Sequence, residues 1–260
     1  MGLSTRRFAL CYQPHIATLA FKTMLCKLCL KDRELRNSHI VPEFLYKTLY
    51  EETGRFYELN LDKDSRTKFH QKGIRERLLC DECEQLFSKY ERYASLLLNG
   101  GYELLVVPEP PVVHFKNIDY AKFKLFALSI LWRAGVSTHK AYSQVKLGKH
   151  EELLRLNLLN ESPGKQEEYP FVLMPVMHGG NVLESLIVSP EKTRVADNIT
   201  YLFVFGGIAW AFIVSSHKPP QVVLDASLSP SGSLTMLPKQ LKDMKHIVSS
   251  AQELLAQGKL

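Results

Sequence analysis

Cysteine is scarce in this chain, with five in 260 residues, and four of the five fall into two Cys-x-x-Cys pairs, a spacing that reads as metal ligation before a disulfide framework. No apolar run reaches the eighteen or so residues of a membrane-crossing helix. Repeats and low-complexity tracts are absent. Neither sign of charge dominates: 33 Lys and Arg face 27 Asp and Glu, and the excess of +6 is spread as +3, +1 and +2 over residues 1–23, 24–100 and 101–260. Such a balance tolerates a polyanionic partner without requiring one. The apolar stretch after Arg6 and Arg7 is broken by Gln13, Pro14 and His15, which makes a poor secretory core. Thiols arranged this way suit a reducing compartment, so the expected location is the cytoplasm, with no membrane partner.

What the chain does have is Cys26-Lys27-Leu28-Cys29 and Cys80-Asp81-Glu82-Cys83, enclosing Ser38-His39-Ile40-Val41-Pro42. Two residues between cysteines let a tight knuckle aim both thiolates at one ion. Two knuckles supply the four ligands of tetrahedral Zn²⁺, so Cys26, Cys29, Cys80 and Cys83 are the expected structural zinc ligands. The competing reading is four ordinary buried cysteines, or one redox pair and one coincidence. The residues between the knuckles should form a subdomain closed by the metal at its base.

In chain order, residues 1–23 show no period and read either as a leader, flexible or from an early start codon, or as a short ordered segment packed on the body. Pro42 fits a first helical position, with Phe44, Leu45, Thr48 and Leu49 at helical spacing behind it. Phe56, Tyr57, Leu59 and Leu61 give a weak hairpin signal. Lys63 to Arg77 is the most basic stretch, six Lys or Arg against Asp64 and Glu76. It reads as a phosphate-contacting loop, with Lys68, Lys72, Arg75 and Arg77 as the nucleic-acid contacts, or as a solvated loop in which Arg75 and Arg77 pair with Glu76 and Asp81. Cys83 to Leu98 carries one apolar stripe and predicts an amphipathic helix stopped by Gly100-Gly101.

Pro108, Pro110 and Pro111 suggest a boundary. Beyond it, Asp119 to Ala134 is apolar on nearly every face and predicts a buried helix, and Gly148 to Leu159 predicts a second. Phe171–Met177, Val182–Val188, Tyr201–Phe205 and Ile208–Val214 predict strands, the last two joined through Gly206-Gly207. Pro238 to Ala256 predicts a terminal helix. After residue 101 no catalytic motif appears, and His178, His217 and His246 read as isolated surface or core histidines.

A histidine held between two knuckles, with a helix springing from the second, resembles the HNH (ββα-metal, His-Me finger) endonucleases. The matching residues are Cys26, Cys29, His39 ahead of Val41-Pro42, Leu79-Cys80, Cys83 and Glu84. The resemblance implies a structural zinc, His39 as the general base that activates water, and Glu84 as a ligand of a catalytic Mg²⁺ or Mn²⁺. Two positions depart from the family pattern: Ser38 stands where a metal-binding Asp or His precedes the base, and Ile74-Arg75-Glu76-Arg77 replaces the middle Asn. The departures leave His39 open to a structural role and Glu84 to that of a first-turn carboxylate favoured by the helix dipole. Most of residues 24–215 also resembles a group of bacterial proteins that share the knuckles, a Ser-His-Ile-x-Pro segment and a Leu-Trp-Arg-Ala-Gly helix end, here Leu131 to Gly135. That resemblance names no activity.

The expected fold is α+β, with a leader over 1–23, an HNH-like zinc module over 24–107 and a domain of helices and antiparallel sheet over 108–260. The expected function is metal-dependent hydrolysis of DNA or RNA, in phage defence or a mobile element. The alternative is a non-catalytic zinc module that recognises nucleic acid, a partner protein or a second copy of the chain.

Overall fold

The computed structural model describes residues 24–49, 56–58, 68–70, 73–184 and 186–257. It has both helices and sheets, as expected of an α+β chain. Two short antiparallel strands, β1 (Met24–Leu25) and β2 (Asp32–Arg33), flank the first knuckle. Inside it the Cys26 N–H donates to Lys31 C=O at 3.0 Å and the Leu30 N–H to Cys26 C=O at 2.9 Å. Next comes β3 (Leu35–His39), followed after Pro42 by a 3₁₀ helix (Glu43–Leu49) at the expected helix start. The pair β4 (Phe56–Glu58) and β5 (Lys68–His70) forms the anticipated hairpin in the intervening excursion. The chain then returns as β6 (Arg75–Cys80), antiparallel to β3, and runs without a linker into α1 (Asp81–Leu98). The result is a ββα unit with residues 40–74 inserted between its strands.

Helix α1 forms because Cys83, Phe87, Tyr90, Tyr93, Ala94 and Leu97 recur on one face, which is the buried face. Its first turn carries Asp81, Glu82 and Glu84, the sign that the amino-terminal end of a helix dipole favours. Strands β7 (Leu105–Glu109) and β8 (Val112–Lys116) follow as a hairpin. Of the three prolines expected to mark a boundary at 107/108, Pro110 and Pro111 instead build this hairpin's turn. Pro108 pairs within β7, and the larger sheet therefore begins at Leu105.

Helix α2 (Tyr120–Val136) is capped by Asp119, whose side chain accepts from the Lys122 N–H at 3.0 Å. Every residue from Phe123 to Ala134 is buried. A helix apolar on nearly all faces must be covered on several sides, and α2 is. Phe87 of α1 meets Trp132 edge-on at 6.2 Å, while Phe123 lies 6.0 Å from both Phe171 and Trp210 of the sheet. Each such ring or Leu contributes roughly 1.5–3 kcal/mol by burial. α2 is thus the shared wall between the cysteine-bearing unit and the sheet, and one continuous apolar cluster runs from Cys26 to Met236.

The rest of the chain is α3 (His150–Leu159), β9 (Phe171–His178), β10 (Asn181–Val182), β11 (Val188–Val195), β12 (Asn198–Phe205), β13 (Ile208–Ile213), α4 (Gln221–Ala226), β14 (Leu234–Met236), β15 (Lys239–Gln240) and α5 (Lys245–Ala256). The sheet order is β11-β12-β13-β9-β14-β8-β7, with β10 and β15 also paired to β9. Gly206 and Gly207, both at positive φ, turn β12 into β13 as expected. The expected strand 182–188 is instead split: β10 folds back on β9 through Gly179-Gly180, also at positive φ, and β11 starts only at Val188. The expected terminal helix starts at Lys245, after β15 and a 3₁₀ turn.

Candidate functional site

Four sulfurs converge where the first knuckle meets the β6–α1 junction. The ligand atoms of Cys26, Cys29, Cys80 and Cys83 all lie within 4.8 Å of one another, and Cys29 Sγ is 3.8 Å from Cys80 Sγ. A tetrahedral ion with metal–sulfur bonds of about 2.3 Å spaces its sulfurs by about 3.8 Å, so the cluster can hold one metal ion such as zinc. The Cys80 N–H points at Cys26 Sγ at 3.3 Å, and the Lys27 N–H donates to Leu78 C=O at 2.9 Å, so backbone bonds hold the two knuckles together. Crowded without a cation, the thiols cannot all ionise. The Cys83 hydrogen bond drives Cys26 down to about 4, while burial pushes Cys80 up to about 11 and the Cys26 neighbour pushes Cys83 up as well. A cation at the centre would remove that conflict. Lys31, Arg33 and Lys89 line an open pocket beside Cys29 and Cys80.

His39 sits at the far end of β3, opposite Arg75 in register. Its side chain is one-fifth exposed. Arg75 Nε donates to His39 Nε2 at 2.7 Å, and Glu43 Oε2 lies 2.5 Å from the same nitrogen. One nitrogen cannot serve both at once: Arg75 needs its lone pair, Glu43 needs a proton on it. Burial first, and the Arg75 charge second, hold the His39 pKa below its ordinary value, with Glu43 pulling the other way. The Arg75 hydrogen bond needs the neutral ring, the form that burial favours. A glycine sets up this meeting, because a Cβ at Gly73 would lie 2.5 Å from the Tyr46 ring. Only a bare backbone lets the Tyr46 turn of the 3₁₀ helix close over the start of β6, and that closure brings Glu43 to Arg75.

No hydrogen bond or ion pair joins Glu84 to His39. Ser38, the neighbour of His39 with its side chain on the opposite face of β3, is buried, and its hydroxyl accepts from the Leu79 N–H at 3.3 Å. Glu84 faces that hydroxyl. Burial raises the Glu84 pKa, opposed by Ser38 and by the charge of Arg133. Arg133 of α2 is 1% exposed, and its Nη1 reaches both the His39 carbonyl at 2.7 Å and Glu91 Oε1 at 2.8 Å. A cation near Glu84 is thus the Arg133 guanidinium, and Glu84 Oε1 is buried without a hydrogen-bond partner among the described residues. Among the described residues the one place where three or more His, Cys, Asp or Glu ligand atoms converge is the cysteine cluster.

The basic stretch divides. Arg75 joins His39, while Arg77 is exposed. Lys68 lies on β5 opposite Glu58, and Lys72 lies outside the described residues. Neither arginine takes the partners expected of a solvated loop. Asp81 pairs with Arg36 at 2.9 Å, and Glu76 accepts from Ser137 Oγ and Thr138 Oγ1, both at 2.6 Å, beyond the end of α2. His178 and His217 are exposed, as isolated histidines should be, and the side chain of His246 lies outside the described residues.

Glu43, Glu91 and Arg133 were missed by sequence reasoning. Glu43 is four residues from His39, an ordinary spacing with no motif. Arg133 did carry a signal, because a lone arginine inside an otherwise apolar helix must find an acid or a set of carbonyls. Comparison with protein-family models, curated proteins and solved structures finds no match for this chain.

Proposed function

We propose that the chain is a zinc-stabilised nucleic-acid phosphodiesterase in which His39 is the general base. Zinc is the ion that four thiolates at this spacing favour, and it would be structural, since all four positions are taken by protein. The observation that carries the reading is the shared nitrogen: Arg75 and Glu43 both address His39 Nε2, and each suits a different protonation state. An incoming phosphate competes for Arg75 through charge-assisted hydrogen bonds and draws it off the ring, freeing the Nε2 lone pair. Nε2 then takes a proton from the attacking hydroxyl. Glu43 receives the resulting N–H, which stabilises the imidazolium just when it forms. Arg75, released onto the phosphate, faces the charge that builds there.

A second reading, a zinc module that binds nucleic acid or a partner without cutting, is favoured by one observation: Glu84 faces Ser38 and Arg133, and no hydrogen bond or ion pair joins it to His39. Replacing the base separates the two. His39→Ala should lower cleavage of nucleic acid by on the order of 10²–10⁴-fold while zinc content and melting temperature stay near wild type. Wild-type protein that binds DNA or RNA and leaves every strand intact would hand the case to the second reading.

A further inference from the structure

We infer that Arg133 is the permanent cation of the His39 site, filling from inside the protein the place a divalent ion would take, and that cleavage at His39 is therefore confined to RNA. The inference rests on the reading of His39 as base for its second half only. The first half stands on contacts alone. Arg133 Nη1 uses both protons, on the His39 carbonyl at 2.7 Å and on Glu91 Oε1 at 2.8 Å. Its Nε donates to Ser129 C=O and its Nη2 to Ser129 Oγ, both at 3.2 Å, and the guanidinium carbon lies 5.4 Å from the Phe87 ring centroid.

A guanidinium that is 1% exposed and held by these contacts does not leave its place. Glu84 and Glu91 lie one heptad apart on α1 and face Arg133, and Glu43, the carboxylate at the ring, lies 3.6 Å from Arg75 Nη2, so each carboxylate around the end of β3 already faces a guanidinium. A divalent ion placed among them would have to sit against Arg133. The His39 carbonyl is held as well, which makes Arg133 a positioning residue for the ring beyond it.

The substrate follows from what the site then lacks. An imidazole helped by one arginine and one carboxylate, with no divalent ion, is poorly equipped to make hydroxide from water and expel an alkoxide from DNA. RNA carries its own nucleophile. A 2′-hydroxyl next to the phosphorus is an intramolecular reactant, and such arrangements reach effective concentrations of roughly 10⁵–10⁸ M. His39 Nε2 takes the 2′-O–H proton, the 2′-oxygen bonds to phosphorus, and the bond from phosphorus to the 5′-oxygen breaks. The 5′-oxygen leaves with the electron pair and is protonated by solvent, and His39 gives its proton back to solvent. The products are a 2′,3′-cyclic phosphate and a 5′-hydroxyl, with no oxidant, reductant or further reactant consumed.

Two measurements on the zinc-loaded full chain test the two halves. In the first, Mn²⁺ is titrated while the ring resonances of His39, assigned by their loss in His39→Ala, are followed for paramagnetic broadening. No broadening is expected in wild type beyond that of the exposed histidines His178 and His217. In Arg133→Gln, which leaves the carboxylates facing a neutral amide, selective broadening of His39 should emerge. Selective broadening in wild type would overturn the resident-cation assignment, and that arm stands whether or not the variant folds. In the second, an RNA oligonucleotide, its DNA counterpart and an RNA with one 2′-deoxy position are incubated with enzyme, with and without Mg²⁺. Cleavage of RNA alone is expected, at a rate flat in Mg²⁺, absent at the 2′-deoxy position and ending in a cyclic phosphate. DNA cleavage, or a requirement for Mg²⁺, would overturn the RNA assignment. Cleavage of none of them would sink the reading of His39 as base, and the Mn²⁺ titration would still decide the place of Arg133.

Discussion

Helix α2 carries two charged side chains that are each 1% exposed, Lys124 near its start and Arg133 near its end, and the protein treats them in opposite ways. Arg133 faces a carboxylate, Glu91, at 2.8 Å. Lys124 Nζ meets only neutral oxygens, the Tyr120 hydroxyl at 2.9 Å and the Lys165 carbonyl. Burial drives its pKa down to about 8, with Glu168 and Glu167 opposing from farther off. A buried amine can give up its proton and a guanidinium cannot, so only the arginine end needed an acid brought in from another helix. The buried charge near the end of α2 is therefore ion-paired across to α1, and the one near its start, under the loop at Lys165, meets neutral oxygens.

Separating the two ends should be easiest by removing the metal. Structural zinc in small modules contributes on the order of 10–16 kcal/mol of folding free energy, so chelation should strip amide-exchange protection from β3, β6 and α1. Amides of β12 and β13 should keep theirs. Equal loss in both places would mean that the unit and the sheet fold as one. Next in size is Arg133→Met, which strands Glu91 and the His39 carbonyl. Breaking a buried pair costs about 3–5 kcal/mol, and a Glu91 side chain that is 26% exposed puts the expectation at the low end of that range. Urea unfolding at pH 7 measures it, and a loss under about 1 kcal/mol would mean the charge is not held as described.

Smallest is the effect at Lys124. Its folded pKa, about 8, lies below the ordinary 10.5, so between those values the unfolded chain binds the extra proton. Stability from this group must then rise with pH across that window, by about 3 kcal/mol in all. Subtracting the pH profile of Lys124→Met removes the buried tyrosines, among them Tyr120, whose own pKa burial raises to about 12. A difference that is flat from pH 8 to 10.5 would show that Lys124 keeps its proton in the fold.

The contrast between these two residues also explains what was legible in the chain. The four cysteines, the three helices at 81–98, 120–136 and 150–159 and the Gly206-Gly207 hairpin were readable because each rests on spacing within a short window. The convergence of the cysteine pairs followed from their chemistry alone. What escaped was pairing across distance. The meeting of His39 with Arg75 depends on how β3 and β6 register after the 40–74 excursion, and that of Arg133 with Glu91 depends on how two helices pack. Prolines 108, 110 and 111 misled for the opposite reason, because a turn between paired strands and a linker between domains use the same residues.

The place of β14 has a consequence in time. This strand of three residues, Leu234–Met236, lies between β8 and β9, pairing Leu234 with Phe115 and Met236 with Leu173. Its two neighbours are made long before it. A chain growing at about 5–20 residues per second leaves the inner edges of β8 and β9 bare until β14 has emerged. Sheet edges in that state are templates for a wrong partner, and closing them across so long a stretch of chain is slow. The vulnerable interval runs from the emergence of β9 to that of β14, when all four clustered cysteines are already made and the sheet is still in two halves.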